Sequence, residues 1–159
     1  MSIGGMFLDL VDDLLGQPRL AEGAVWSRRR FAPGELLTTQ GAQGYSLFIV
    51  QSGRLAVLGA APGSEVVVAE LTEGDVIGQS SLIEPYESIA TVRALTEGEV
   101  IEISGVMLSV YLDDHPQQGY LFYKYLLASA LDNLAKTNRG LVDLATCGAT
   151  SQGLSGADR

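Results

Sequence analysis

The rhythm of apolar and polar positions changes twice along this chain. Over residues 6–15, Phe7, Leu10, Val11, Leu14 and Leu15 fall on one helical face, with Asp9, Asp12 and Asp13 opposite, before Gly16 and Pro18 interrupt. That spacing predicts a packing helix, and its acidic polar face argues against a membrane-surface role. From Ala24 the period shortens, with Gly and Pro at close intervals. Eight short strands are predicted, over 25–31, 36–39, 46–51, 53–59, 65–71, 76–77, 89–94 and 100–104. The third and fourth read as a hairpin about Ser52-Gly53. Eight such strands are the size of a jelly roll or small barrel.

After Ser104 the period becomes helical again. A short helix over 105–112 stops at Asp113-Asp114-His115-Pro116, because proline disfavours helix at the residue before it. A long helix follows over 117–145. Tyr120, Leu127, Leu134 and Leu141 recur every seven residues, and Leu131, Asn138 and Ala145 follow the last three of these by four. One small barrel cannot cover a stripe that long, so a partner helix is expected, most simply the same helix of a second copy. Residues 148–159 are rich in Gly, Ser and Ala and read as a disordered tail. The expected organisation is one domain over 1–147: an N-terminal helical segment (1–22), a β-roll (23–104) and C-terminal helices (105–147).

Composition narrows the function. At 159 residues, with 47% apolar and 18% charged positions, the chain is one globular domain. A net charge of −9 with only ten Lys and Arg argues against direct nucleic-acid binding. The N-terminus has no basic start and no long apolar run, so neither a signal peptide nor a membrane span is expected. A single cysteine, Cys147, rules out an internal disulfide and suits the cytoplasm. Past the helix stripe it could meet its dimer mate, but the reading is a free thiol. With one histidine, His115, a metal-dependent cupin of the same jelly-roll shape is excluded by count. Ser80 and Ser81 lack a nearby base, which argues against a serine nucleophile. No acid–base pair or metal cluster is visible, so an enzyme is not expected. Arg28-Arg29-Arg30 reads as the charged face of an edge strand.

The stretch from Leu71 to Ala94 organises the rest. It turns at Gly74-Asp75, runs through Val76-Ile77 to Gly78, enters a short polar helical turn at 79–82, and returns as a strand. A glycine releasing the chain into a first helical turn leaves backbone N–H groups unpaired, which can hold an anion.

Taken together, Phe31-Ala32-Pro33-Gly34-Glu35-Leu36, Gly41, 46–50, Ser52-Gly53-Arg54-Leu55 and Val57 closely resemble the β-roll of cyclic-nucleotide-binding domains. Leu71, Gly74-Asp75, Gly78, Leu82 and Ala90-Thr91-Val92-Arg93-Ala94 continue the resemblance through the phosphate-binding cassette. His115-Pro116 and the long helix resemble the dimerisation helix of the catabolite-activator type of regulator. The resemblance spans about residues 6–145. It implies a mainly β fold with flanking helices: a double-stranded β-helix (jelly roll) plus a long C-terminal dimerisation helix. Regulators of that type continue into a winged helix-turn-helix, so it implies the sensor half alone.

The resemblance also implies a ligand site, at Gly78, Gln79, Ser80, Ser81, Ser88 and Ile89 with Thr137 and Asn138. Binders in this family typically carry Glu after the cassette glycine for the ribose hydroxyl, and Arg two residues before the alanine for the cyclic phosphate. Gln79 and Ser88 stand in those places, and Ile89 replaces a small hydroxyl residue. Gln79 can accept a hydrogen bond without charge. Losing a bidentate guanidinium should weaken cyclic-nucleotide binding by roughly two orders of magnitude, on the order of 3 kcal/mol. Arg93 lies one strand further on and reaches the pocket only if the loop rearranges. Thr137 and Asn138 match the polar pair that contacts the base, and equally fit register-setting residues of a coiled coil.

The function expected is a small-ligand sensing or regulatory module, weak or non-binding toward cyclic AMP and GMP. It takes no cofactor other than a cyclic nucleotide or another small anionic ligand. It signals through a dimeric helix to a protein partner that the sequence does not name. The alternative is a protein-interaction or dimerisation module with a vestigial pocket.

Overall fold

The structure is a computed structural model. It describes the backbone of residues 3–61 and 63–157, and the side chains of 5–59, 63–143 and 145. Cys147 lies outside the described side chains.

Helix α1 spans Ile3–Leu15 and strand β1 spans Trp26–Phe31. Strands β2 (Leu36–Thr38), β3 (Ser46–Ser52), β4 (Leu55–Ala61) and β5 (Ser64–Leu71) follow. Next come β6 (Val76–Ile77), a 3-10 turn (Gln79–Leu82), β7 (Thr91–Ala94) and β8 (Gly98–Ser104). Helices α2 (Gly105–Asp114) and α3 (Pro116–Ala157) close the chain.

The strands form two four-stranded antiparallel sheets, ordered β1-β8-β3-β6 and β2-β7-β4-β5, which together make the jelly roll. All eight expected strands are present. The expected hairpin about Ser52-Gly53 is not, because β3 and β4 belong to different sheets. Gly53 sits at φ +89°, and a Cβ there would lie 2.6 Å from the Glu97 carbonyl oxygen. The turn is therefore a corner crossing the sandwich. The hairpin lies one strand later, pairing Leu55 with Leu71 through to Ala61 with Ser64.

Strand β3 is apolar from Leu47 to Val50 because both faces of that stretch are buried. Leu47 and Ile49 join Ile101 and Ile103 of β8 in a core beneath the helices, which includes Phe7, Leu14, Leu112 and Phe122. Phe48 and Val50 face the other way, into a core between the sheets with Phe31, Leu55, Ile77 and Val92. β1 is an edge strand as expected, with Arg28 on Glu99 and Arg29 on Glu35.

Ser104 caps α2 by accepting from the Met107 N–H. His115 ends α2, its ring stacked on Tyr111 at 4.0 Å with Nδ1 2.8 Å from the Tyr111 carbonyl oxygen. Pro116 then opens α3, at the position where its missing N–H costs nothing. Phe122 seats the first turns of α3 against Phe7, their ring centroids 5.6 Å apart. Beyond Leu126 the helix leaves this core and crosses the β-roll, where Gly140 lies against the Val68 carbonyl of β5 too closely for a Cβ. Tyr120, Leu127, Leu131, Leu134 and Leu141, the stripe picked out by its period, are all at least half exposed. The backbone of α3 stays helical to Ala157, where the sequence reading expects disorder from 148. No proline follows Pro116 in the chain, so nothing in the covalent backbone forces the helix to stop.

Candidate functional site

Strand β6 delivers the chain to Gly78 at φ +80° and ψ 31°, a left-handed conformation. A Cβ there would lie 2.5 Å from the Ser46 carbonyl oxygen, so both the angle and the space call for glycine. The 3-10 turn follows, with the Ser81 N–H bonded to the Gly78 carbonyl at 2.9 Å. The return loop is stitched to the loop after β2. Ser88 donates its N–H to the Ala42 carbonyl at 2.8 Å and accepts from Gly41 at 2.9 Å, while Gly44 donates to the Tyr86 carbonyl at 2.8 Å. Turn and loop form a wall with a compartment on each side.

The first compartment, of about 310 Å³, lies between this wall, the floor of the roll and α3. Leu71, Val57 and Val92 form the floor, and Ala130, Asn133, Leu134 and Thr137 form the roof. No lining side chain is charged. Some of its polar groups are engaged: Gln79 Nε2 donates to the Val76 carbonyl at 3.0 Å, and Asn133 Nδ2 to the same oxygen at 3.3 Å. Thr137 Oγ1 donates back to the Asn133 carbonyl at 2.9 Å. Asn133 Oδ1 is buried and has no partner.

The second compartment, of about 330 Å³, shares Gly78, Ser80 and Ser88 with the first and is otherwise polar. Arg29 of β1 and Glu102 of β8 line it, with Thr38 and Tyr45. The Arg29 guanidinium lies 2.9 Å from a Glu35 oxygen, 3.6 Å from a Glu102 oxygen, and 5.8 Å from the centroid of the Phe48 ring. The hydrogen bond from Arg29, then that from the Ala32 N–H, holds the Glu35 carboxyl below its usual pKa.

Six of the eight residues expected at the site line the first compartment: Gly78, Gln79, Ser80, Ser88, Ile89 and Thr137. Ile89 does so from the rim, 78% exposed and ahead of β7 rather than within it. Ser81 is displaced from the expected site. It is buried on the far side of the turn, where its carbonyl would meet a Cβ on Gly105 of α2 at 2.3 Å. Asn138 is likewise absent from the lining, because one step along the helix turns it about 100° from Thr137 toward solvent. Asn133, which the sequence reading passed over, takes a place in the roof. Its signal was the four-residue spacing to Thr137 on the face that also carries Ala130. Arg93 is turned away from the compartment and paired with both carboxylate oxygens of Glu65, at 2.5 and 3.3 Å.

The turn glycine, the 3-10 turn and the jelly roll around them coincide with a family match. Residues 28–115 match the model of the cyclic nucleotide-binding domain, more than half of the chain. The chain belongs to this family. Comparison with curated protein sequences finds no match. Among solved structures, the chain is similar to the c-di-GMP responsive global regulator CLP of Xanthomonas campestris, with a TM-score of 0.70 at 20% identity, covering 87% of this chain and 64% of that one. The N-terminal domain of a transcriptional regulator from Streptomyces coelicolor A3(2) is 27% identical, with a TM-score of 0.56 over 84% of this chain and 85% of that one. The catabolite activator protein of Thermus thermophilus is 22% identical, with a TM-score of 0.61 over 86% and 59%. The first and third of these likenesses speak for the fold. As a cyclic nucleotide-binding domain the protein has a regulatory fold, while no side chain lining its first compartment is charged. Among the described residues no helix is long and apolar enough to cross a membrane, and no cluster of metal-binding side chains is present.

Proposed function

We propose that this protein is a non-enzymatic regulatory module that senses a small ligand in the first compartment and transmits its arrival through α3. The observation that carries the reading is the placement of a cavity of about 310 Å³ directly between the cassette turn and the long helix. A ligand seated there touches both, so a difference in its affinity for two positions of α3 becomes a shift in their populations. Cyclic AMP and cyclic GMP are poor candidates. Their phosphate would enter a compartment with no cation in its lining, and burying an unpaired charge is costly. Isothermal calorimetry with both nucleotides tests this. No saturable heat in the micromolar range is expected, and a micromolar dissociation constant would overturn it.

The exposed stripe Tyr120, Leu127, Leu131, Leu134 and Leu141 supports a homodimer through α3, with a protein partner reading the helix pair and the cytoplasm as the setting. In that dimer Asn138, exposed in this protomer, is placed to set register against the second copy. The same stripe also favours a second reading, in which the dimer surface is the working part and the cavity is vestigial. Gel filtration with light scattering distinguishes a dimer, at twice the 16.8 kDa chain mass, from a monomer, and a monomer at high concentration would sink both helix readings.

A further inference from the structure

The second compartment carries hydrogen-bonding capacity that the protein itself does not use. Arg29 lines it from above the Phe48 ring, with Glu102 beside it. The guanidinium makes a single hydrogen bond among the described residues, to Glu35 at 2.9 Å, which leaves most of its N–H donors unspent. Glu102 lies 3.6 Å from it, near enough for attraction and too far for a hydrogen bond. The Glu102 carboxylate receives the Ser46 hydroxyl on Oε1 at 3.2 Å, and among the described residues no donor reaches its other oxygen.

The cassette wall adds hydroxyls to this set. Ser88 is only 6% exposed, and its backbone is held at both ends by the loop after β2. Its hydroxyl has no hydrogen-bond partner among the described residues, yet it is not sealed from solvent. That Oγ lies 2.8 Å from where a Cβ on Gly44 would stand, and Gly44 lines the second compartment and not the first. The hydroxyl is therefore turned to the polar side of the wall, where Ser80 contributes another unpartnered hydroxyl.

Charge then selects among polar ligands. Two carboxylates, Glu35 and Glu102, flank one guanidinium, so an anion meets an excess of negative charge. A cation meets Arg29 itself. What remains unspent is mixed, with donors on Arg29, an acceptor on Glu102 and hydroxyls that serve as either, and ligand hydroxyls answer all three. We propose that the second compartment is a separate binding site for an uncharged, polyhydroxylated small molecule of monosaccharide or cyclitol size. One of its hydroxyls accepts from Arg29, another donates to Glu102, and a third meets Ser88. A volume of about 330 Å³ sets that size, at the small end of the usual ligand range. The site stands whether or not the first compartment holds a ligand.

Three probes built on one six-membered carbon ring separate the alternatives: myo-inositol, cyclohexanol and myo-inositol 1-phosphate. Binding is followed on the full chain by amide chemical shifts. The expected result is myo-inositol saturating in the low millimolar range, with shifts at Arg29, Gly44, Tyr45 and Ser88. Cyclohexanol and the phosphate should each bind about tenfold more weakly, the first for want of hydroxyls and the second for its charge. Glu102→Gln keeps the shape and removes one negative charge. It should weaken myo-inositol about tenfold and narrow its lead over the phosphate. Should that variant fail to fold, the wild-type ranking decides alone. The proposal is overturned if cyclohexanol or the phosphate binds as tightly as myo-inositol at these residues, or if folded Glu102→Gln binds myo-inositol unchanged. Absence of binding by all three, or shifts centred on Ala130 and Thr137 across the wall, overturns it equally.

Discussion

The two compartments flanking the cassette wall have nearly the same volume, about 310 and 330 Å³, and share Gly78, Ser80 and Ser88, yet their chemistry is opposite. One is mainly aliphatic and has no charged side chain in its lining. The other is polar and holds a guanidinium between two carboxylates. The part of the wall that both compartments share, Gly78, Ser80 and Ser88, is neutral to both. The character of each side is therefore set by what faces the wall: the aliphatic positions of β4, β5, β7 and α3 on one side, the alternating charges of β1 and β8 on the other. A cation does lie close to the cassette, but it lines the second compartment and is already paired. Shape and charge complement are separable properties of this fold, because they come from different elements.

The most disruptive way to break the comparison is to remove the anchor of one roof. Phe122 is fully buried against Phe7 and holds the start of α3, which roofs only the first compartment. Phe122→Ala should cost about 3–5 kcal/mol and lower Tm by roughly 10 °C. Hydrogen exchange should rise first along α3 and the first compartment, leaving β1 and β8 around Arg29 protected. Uniform loss of protection across both compartments would show that the roof and the roll unfold as one unit.

Next is the wall. Gly78→Ala places a Cβ on the Ser46 carbonyl in a left-handed conformation, so about 3 kcal/mol of destabilisation is expected from strain and overlap together. Gly34→Ala is the control, at φ +87° with nothing within 4 Å of the added carbon, and should cost about 1 kcal/mol. Thermal melts of the two variants should differ by at least a few degrees. Equal melts would mean that the wall yields and that its geometry is not what separates the compartments.

How much of this was legible in the chain follows from how local each signal is. Strand period and turn glycines are short-range, so all eight strands lie where alternation and Gly spacing put them. Which strands pair is a long-range matter, and the corner at Gly53 reads as a hairpin until the second sheet is seen. On α3, the four-residue spacing of Asn133 and Thr137 was available, but helical rotation separates Thr137 from Asn138, which adjacency had joined. The absence of charge on the cassette side of the first compartment was legible as Gln79 and Ser88, which are single positions. The second compartment was not, because it joins residues as distant as Arg29, Thr38, Tyr45 and Glu102. The unpartnered Oδ1 of Asn133 was invisible for the same reason, since its environment is made by β6, more than fifty residues earlier.

A smaller effect tests the polar side. Arg29→Ala removes the pairs to Glu35 and Glu102, and because the group is partly exposed the loss should be about 2 °C in Tm at neutral pH. The pH dependence fixes the cause. The Glu35 carboxyl is held below its ordinary pKa in the folded protein, first by Arg29 and then by the Ala32 N–H. Its contribution is present above the unfolded value and is lost as pH falls through the folded one. The difference in Tm between wild type and Arg29→Ala should therefore shrink in acid below the usual glutamate range. A difference that stays constant into strong acid would assign the stabilisation to packing of Arg29 on Phe48 instead.

The smallest expected effect is on the tie that holds the roof's far end. Lys136 of α3 reaches Asp75, in the turn before β6, at 3.6 Å, and Asp132 one helical turn back at 3.0 Å. Burial pulls its pKa down, but the hydrogen bond to Asp132 and the charges of Asp75 and Asp132 outweigh it, and the net shift is upward from 10.5. A raised pKa stabilises the folded state fully below the unfolded value, and that support is lost only as pH rises through the folded one. Lys136→Met keeps the aliphatic stem and removes the charge, so it should cost about 0.5 kcal/mol, with a gap from wild type that is constant from pH 6 to about 9 and shrinks only in stronger alkali. Salt should narrow the gap at neutral pH. Were the gap to close already between pH 6 and 9, Lys136 would not be the group that ties α3 to the wall, and the roof over the apolar compartment would rest on Phe122 and Gly140 alone.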